Sequence, residues 1–338
     1  MKRKITKIAI LGAGSWGTTL AFILSKNNNL RVTLWSIFKK QVEDIKSSRV
    51  NKDFLPKILL PKKIKVTSNL KEALSSDLII LAVPVKYLRN ILGQIKRQNC
   101  NFKGKIFLSV AKGIEVRSLK RPTEIIKEQL KVNDAAVLSG PTIAKEVSEG
   151  IPTVATVASI NRASLVKIQG IFKGSNLRVY RGHDIKGVEL AGALKNIIAI
   201  ACGISDGLGF GTNTKASLVT RGLVEIIRLG KKLGADPLTF WGISGLGDLV
   251  TTCFSSFSRN RFVGEQIGQG RKLNLILKNM EMVAEGVETV KSAYKLSKRL
   301  NVDMPITKEV YNVLYKNKSS KKAVVDLMTR PLKVEKIS

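Results

Sequence analysis

Ile8-Ala-Ile-Leu-Gly-Ala-Gly-Ser-Trp-Gly-Thr-Thr-Leu-Ala21 decides the fold. An apolar strand runs directly into G-x-G-x-x-G (Gly12, Gly14, Gly17), and a helix of small residues follows. Gly12 permits the tight turn out of the strand. Gly14 lets a pyrophosphate approach the backbone without meeting a Cβ. Gly17 lets the helix pack closely on the sheet, and the helix N-terminus offers N–H groups to phosphates. A second strand-like run, Arg31 to Trp35, supplies the strand–turn–helix–strand context that a bare glycine pattern lacks.

Outward from this segment, short apolar runs alternate with amphipathic stretches. The pattern predicts strands at 7–11, 31–35, 77–83, 105–110, 135–139 and 153–158, with helices such as 17–27 and 86–95 between them. Such alternation implies a mostly parallel, doubly wound sheet of Rossmann type. After about Tyr180 the β-rich runs stop. Helical periodicities take over at 187–203, 213–233, 261–268, 285–300, 305–315 and 319–328, and Pro237 and Pro305 stand where helices begin. The reading is an α/β protein: a dinucleotide-binding domain over 1–185, then an all-α substrate and catalytic domain over 186–338.

No apolar run reaches the ~18 residues of a spanning helix. The basic start, Met-Lys-Arg-Lys, leads into the first strand rather than a signal-peptide core. Three distant cysteines (Cys100, Cys202, Cys253) with no C-x-x-C point to a reducing cytoplasm, not to a disulfide framework or zinc site. The net charge of +33 attracts anions. Yet the basic residues are spread along the chain, with lysine more than twice as frequent as arginine, and no nucleic-acid motif accompanies them. The charge therefore reads as compositional drift, with no dedicated nucleic-acid partner. It is compatible with peripheral association with an anionic membrane. The sequence does not set the oligomeric state, and a homodimer is compatible with it.

NAD-preferring sites end their second strand in an acid that bonds the ribose. Here Ser36-Ile-Phe-Lys39-Lys40 follows the strand, without an acid and with two lysines. This leans toward NADP. Farther on, Lys195 shares a helix face with Ala191, Gly192, Ile198, Ala199 and Cys202. Desolvation on such a face lowers an ammonium pKa toward neutrality, as a general acid/base requires. The competing reading is a lysine that reaches out to solvent. His183, the only histidine, lies in a turn-like Arg181-Gly-His-Asp184 and is a poor candidate for that proton. No metal-ligand spacing is present, so no metal is expected.

Three segments suit a small phosphate: Ser109-Val-Ala-Lys112-Gly113, Ser139-Gly-Pro-Thr142-Ile-Ala144, and Ser258-Arg259-Asn260. The last, preceded by Gly245-Leu-Gly-Asp248, reads as a polar turn before a helix over 261–268. Ser258 is the N-cap, and a helix start with an adjacent arginine fits a dianion.

Together these segments resemble the bacterial NAD(P)-dependent sn-glycerol-3-phosphate dehydrogenases. The strings that carry the resemblance are Gly-Ala-Gly-Ser-Trp-Gly-Thr (12–18), Ala-Lys-Gly (111–113), Leu-Ser-Gly-Pro-Thr-Ile-Ala-Lys-Glu (138–146), Ala-Leu-Lys-Asn-Ile-Ile-Ala-Ile (193–200) and Ser-Asp-Gly-Leu-Gly-Phe-Gly-Thr-Asn (205–213). Gly-Leu-Gly-Asp-Leu-Val-Thr-Thr-Cys (245–253), Ser-Arg-Asn (258–260), Glu-Gly (285–286) and Met-Pro-Ile-Thr (304–307) complete them, in order from about residue 5 to 330. The resemblance implies a Rossmann domain, a helical domain like that of 6-phosphogluconate dehydrogenase, and cytosolic reduction of dihydroxyacetone phosphate with NAD(P)H, feeding glycerophospholipid synthesis. It implies Lys195 as proton donor, and Lys112, Gly140, Thr142, Asp248, Ser258 and Asn260 around the substrate. Arg259 falls between substrate phosphate and cofactor. Ser15, Trp16, Lys112, Ala144, Val283 and Glu285 line the cofactor with the three glycines. One departure stands out: Ile37 occupies a position where the family often carries Arg or His for the 2′-phosphate, which weakens the NADP argument unless Lys39 or Lys40 substitutes.

Two rivals remain at this level. A hydroxy-acid dehydrogenase on the same architecture would not need the phosphate-suited Ser258-Arg259-Asn260. A nucleotide-sensing nucleic-acid binder would not need the lysine.

Overall fold

The computed structural model describes residues 4–332 and 334–335. The chain forms two compact units. One comprises the chain up to Ala111 with Pro122–Ile185; the other comprises Lys112–Arg121 with the chain from Lys186 onward.

The first unit contains β1 (Lys7–Leu11), α1 (Ser15–Ser25), β2 (Arg31–Trp35), α2 (Lys39–Ser48), the hairpin β3 (Val50–Asn51) and β4 (Leu55–Leu59), β5 (Lys65–Thr67), α3 (Leu70–Ala73), β6 (Leu78–Leu81) and α4 (Val85–Arg97). It continues with β7 (Ile106–Ser109), α5 (Pro122–Leu130), β8 (Ala135–Ser139), α6 (Ala144–Ser148), β9 (Thr153–Ala158), α7 (Arg162–Ile171) and β10 (Leu177–Gly182). Eight strands form one sheet in the order β10-β9-β8-β7-β6-β1-β2-β5. The central strands are apolar throughout because both faces are covered. Successive side chains alternate between two cores: Ile8, Ile10, Leu78, Ile80, Ile106 and Leu108 in one, and Ala9, Leu11, Ile79, Leu81 and Phe107 in the other. The chain steps outward from β1 through β2 to β5, then returns to β6 on the other side of β1. The strand order thus reverses at the carboxyl end of β1, where open α/β sheets bind ligands.

Two features add detail to the mostly parallel sheet read from the sequence. β9 runs antiparallel to β8, and β10 pairs in parallel with β9. β10 itself was not anticipated, because Arg178 and Tyr180 face solvent and interrupt the apolar signal of an edge strand.

The second unit is helical: α8 (Ile185–Gly207), α9 (Thr212–Lys232), a 3₁₀ turn at Pro237–Trp241, a π-helical turn at Ile243–Gly247, α10 (Asp248–Phe254), α11 (Arg259–Gly268), α12 (Leu273–Lys278), α13 (Glu285–Leu300), α14 (Pro305–Tyr315) and α15 (Ser320–Met328). α8 is long and apolar enough to cross a bilayer, but its apolar window is wholly buried in the protein as a core helix. α11 crosses α8 at backbone contact: a Cβ on Gly264 would stand 2.1 Å from the Ile200 carbonyl oxygen, and one on Gly203 would stand 2.0 Å from that of Arg261. The segment Lys112–Arg121 is anchored in this unit at both ends. Arg121 pairs with buried Glu189 of α8 at 2.5 Å, and Ser292 of α13 donates to the Ile114 carbonyl at 2.8 Å.

Candidate active site

The glycine turn between β1 and α1 is shaped by sterics. Gly12 has φ +117°, and a Cβ there would lie 2.5 Å from the Ala82 carbonyl oxygen. A Cβ on Gly17 would lie 1.9 Å from the Gly12 carbonyl oxygen. Gly14 is the opposite case: a Cβ there would meet nothing within 4 Å, so its missing side chain leaves an open approach to the backbone. Gly14 is the N-cap of α1, with no side-chain cap. Ser15 and Trp16 open that helix. A tight turn, an open backbone approach and an uncapped helix N-terminus together fit a dinucleotide pyrophosphate.

At the tip of β2, Ser36 is buried, whereas Ile37 and Phe38 are 46% and 69% exposed. Lys39 and Lys40 are exposed in the first turn of α2. Beyond β8, Gly140 adopts φ +152° and its carbonyl accepts from the Thr142 hydroxyl at 3.1 Å. Ala144 begins α6, and its carbonyl accepts from Thr19 of α1 at 3.1 Å.

The second unit holds a buried charged centre. The wide π-helical turn delivers Asp248 to the start of α10, where its side chain is 2% exposed. Asp248 Oδ1 accepts from Lys195 Nζ at 2.5 Å, and Oδ2 accepts from Lys112 Nζ at 2.7 Å. Lys195 also donates to Thr252 Oγ1 at 2.5 Å, and the Thr252 hydroxyl donates to the Asp248 carbonyl at 2.7 Å. Lys195 is therefore a buried, doubly anchored lysine rather than a solvent-seeking one. Burial pushes its pKa down to about 7; Asp248 opposes that shift and Lys112 adds to it. An ammonium has three N–H bonds. Two are committed to Asp248 and Thr252, which leaves one for a ligand.

A chain of amides frames this centre. Asn196 donates to the Lys112 carbonyl at 3.2 Å. Asn260 donates to Asn196 Oδ1 at 2.9 Å, and Asn260 Oδ1 accepts from Gly286 N at 2.9 Å. Glu285, the first residue of α13, accepts from Lys112 N at 3.3 Å. The backbone crossing of α8 and α11 makes the Asn196–Asn260 contact possible.

Ser258 caps α11 by accepting from Arg261 N at 3.2 Å. The helix starts earlier than the sequence suggested: Ser258 is its N-cap, and Arg259 and Asn260 belong to its first turn rather than to a polar turn ahead of it. Arg259 is exposed, yet crowding by protein lowers its pKa, against the pull of Glu285. Val283 is half-buried just before α13. Lys112, Lys195, Asp248, Asn260 and Glu285 are thus linked by hydrogen bonds in one unit. Gly12, Gly14, Ser15, Trp16, Gly17, Gly140, Thr142 and Ala144 lie in the other, at carboxyl ends of strands and the helices that follow. Thr252 and Asn196 were not singled out from sequence. The signals were available: Thr252 is four residues after Asp248 on one helix face, and Asn196 adjoins Lys195.

A tight glycine turn with an open backbone approach, on a doubly wound sheet, is the arrangement found in nicotinamide-dinucleotide-dependent dehydrogenases. Family models described as the NAD-dependent glycerol-3-phosphate dehydrogenase N-terminus and C-terminus match residues 7–165 and 184–325. The chain is 50% identical over 331 residues to the glycerol-3-phosphate dehydrogenase [NAD(P)+] of Thermoanaerobacter sp. (strain X514), covering 97% of this chain and 98% of that one. It is 46% identical to the enzyme of that name from Fusobacterium nucleatum, covering 98% and 99%. The crystal structure of glycerol-3-phosphate dehydrogenase from Coxiella burnetii superposes with a TM-score of 0.92 at 34% identity, covering 97% of this chain and 99% of that one. The chain belongs to the NAD-dependent glycerol-3-phosphate dehydrogenase family, as an NAD(P)-dependent oxidoreductase with a Rossmann sheet and a helical C-terminal part.

Proposed function

We infer that this enzyme reduces dihydroxyacetone phosphate to sn-glycerol 3-phosphate with NAD(P)H, and that Lys195 is the proton donor. The observation that carries the proton assignment is the Lys195–Asp248–Thr252 arrangement, with a lysine pKa of about 7. The dinucleotide, when bound, supplies the hydride that reaches the C2 carbonyl carbon. Gly12, Gly14, Ser15, Trp16, Gly17, Lys112, Ala144, Arg259, Val283 and Glu285 are the residues proposed to hold it.

Lys195 gives the proton to the carbonyl oxygen as negative charge develops there. Its neutral amine then keeps both N–H bonds, to Asp248 and Thr252, and its lone pair faces the new hydroxyl. The geometry needs no rearrangement between the two protonation states, which suits a reversible reaction. Lys112, whose ammonium donates to Asp248 Oδ2 at 2.7 Å, adds positive potential beside Lys195. Gly140, Thr142, Ser258, Arg259 and Asn260 complete the proposed substrate set; the guanidinium of Arg259 near the capped start of α11 suits a phosphate dianion. The product has the chemistry of a glycerophospholipid backbone.

A cytoplasmic location fits the three free cysteines, and the +33 charge is compatible with peripheral contact with anionic membranes. The deciding experiment follows absorbance at 340 nm with dihydroxyacetone phosphate and NADPH or NADH in parallel. Oxidation that requires the substrate phosphate is expected. The ratio of the two rates reports what Ile37, Lys39 and Lys40 contribute. No oxidation with either cofactor would overturn the reading.

A further inference from the structure

The glycine turn has a buried support that the mechanism above does not use. Asn51, in β3, is 1% exposed. Its side-chain amide donates to the Ala13 carbonyl at 2.8 Å and to Thr18 Oγ1 at 2.8 Å. Gln41, in α2, donates to the same Ala13 carbonyl at 3.0 Å. The other end of Gln41 accepts from the Ser36 hydroxyl at 2.6 Å, and Ser36 Oγ accepts from Phe38 N at 3.2 Å. One carbonyl in the middle of the phosphate turn is therefore held by two amides, one from the β3–β4 hairpin and one tied to the tip of β2.

A trans peptide points its C=O and the following N–H in opposite directions, and among the described residues every peptide is trans. Fixing the Ala13 carbonyl toward Asn51 and Gln41 therefore fixes the Gly14 N–H on the opposite side. Among the described residues that N–H has no protein acceptor, and it lies where the absent Cβ leaves the approach open. The pinning matters here because a glycine flanks the peptide. Glycine tolerates both hands of φ, so the Ala13–Gly14 peptide could otherwise flip at little cost.

We propose that Asn51 and Gln41 are positioning residues for the dinucleotide: by pinning the Ala13 carbonyl they aim the Gly14 N–H at the pyrophosphate and set cofactor affinity. Gln41 also makes the turn sensitive to the β2 tip through Ser36. This rests on the reading that the glycine turn receives the pyrophosphate. Losing a buried pin leaves the carbonyl partly unsatisfied and the peptide free to flip, which should weaken dinucleotide binding roughly 5- to 30-fold per residue.

The test is calorimetric titration of NADPH and NADH into the intact enzyme and into Asn51→Ala, Gln41→Met and Gly14→Leu variants, with thermal unfolding of each. Steady-state kinetics are then measured at saturating dinucleotide. The expected result is a raised Kd and KM for dinucleotide in the Asn51 and Gln41 variants, with kcat and the substrate KM unchanged. Folded variants that bind dinucleotide like the wild type, while Gly14→Leu does not, would overturn the proposal and leave the turn's role standing. Wild-type binding by Gly14→Leu would remove that role and the proposal with it. A parallel fall in kcat and substrate binding would also overturn it, since that marks general loosening of the fold. Should Asn51→Ala not fold, Gln41→Met decides, because Gln41 is only half-buried.

Discussion

Replacing Asp248 with Asn tests the charged centre most directly. The substitution keeps the shape and removes the one negative charge between Lys195 and Lys112, which Asp248 contacts at 2.5 and 2.7 Å. Asp248 raises the Lys195 pKa, whereas burial and Lys112 lower it. Without the carboxylate only the lowering influences remain. Loss of an opposite charge at this range lowers a pKa by roughly one to three pH units. From a starting value of about 7, a drop of about two leaves ~1% of Lys195 protonated at pH 7 where about half was before, a fall of roughly 50-fold. The reductive reaction should therefore lose about that factor at pH 7 and recover as pH is lowered. Breaking a buried pair also costs roughly 3–5 kcal/mol of stability, so folded enzyme must be quantified first. The assay is kcat/KM for dihydroxyacetone phosphate against pH. The wild-type reductive limb should fall as pH rises through about 7; in the variant that limb should move to lower pH. An unmoved limb, at any amplitude, would refute the assignment of the titrating group.

Lys195→Ala should lose roughly 10²–10⁴ in turnover while calorimetry shows dinucleotide binding retained; Asp248 keeps its Lys112 partner in that variant, so the fold should survive. Gly264→Ala should destabilise the helical unit by roughly 1–3 kcal/mol, because its Cβ would lie 2.1 Å from the Ile200 carbonyl oxygen; a variant with unchanged thermal unfolding would show that the α8–α11 crossing relaxes freely. Glu225, 2% exposed, accepts from Ile306 N, Thr307 N and the Thr307 hydroxyl at the start of α14, and burial raises its pKa from 4.5 to about 7. A raised carboxyl pKa contributes stability that is full below about pH 4.5 and is lost as pH rises through about 7. Denaturant unfolding at several pH values should show that component in the wild type and not in Glu225→Gln; identical pH dependence in both would remove Glu225 as its source.

The sequence itself determined the dinucleotide turn, the doubly wound sheet and the helical second half. Those depend on local chemistry: glycine spacing after a strand, apolar runs of strand length, and helical periodicity with proline at helix starts. β1, β2, β8, β9, α13 and α14 fall on the residues the pattern indicated, because each has either two covered faces or a strong amphipathic stripe. Lys195 was legible for the same reason, as a charge on a small, apolar helix face. What only the tertiary structure decided is partnership. Lys112, Lys195 and Asp248 are separated by 53 to 136 positions along the chain. Their convergence requires the Lys112–Arg121 segment to leave its sequence neighbours and pack with α8, α10 and α13. Thr252 and Asn196 carry no distinctive signal as residue types; they gain meaning from hydrogen-bond partners supplied by other elements. The same holds for Asn51 and Gln41, whose importance depends on a single carbonyl 28 to 38 positions away. Local patterns fix which elements form, but the partner of a polar side chain is set by the desolvation cost of leaving it unpaired, and that cost exists only once the elements have packed.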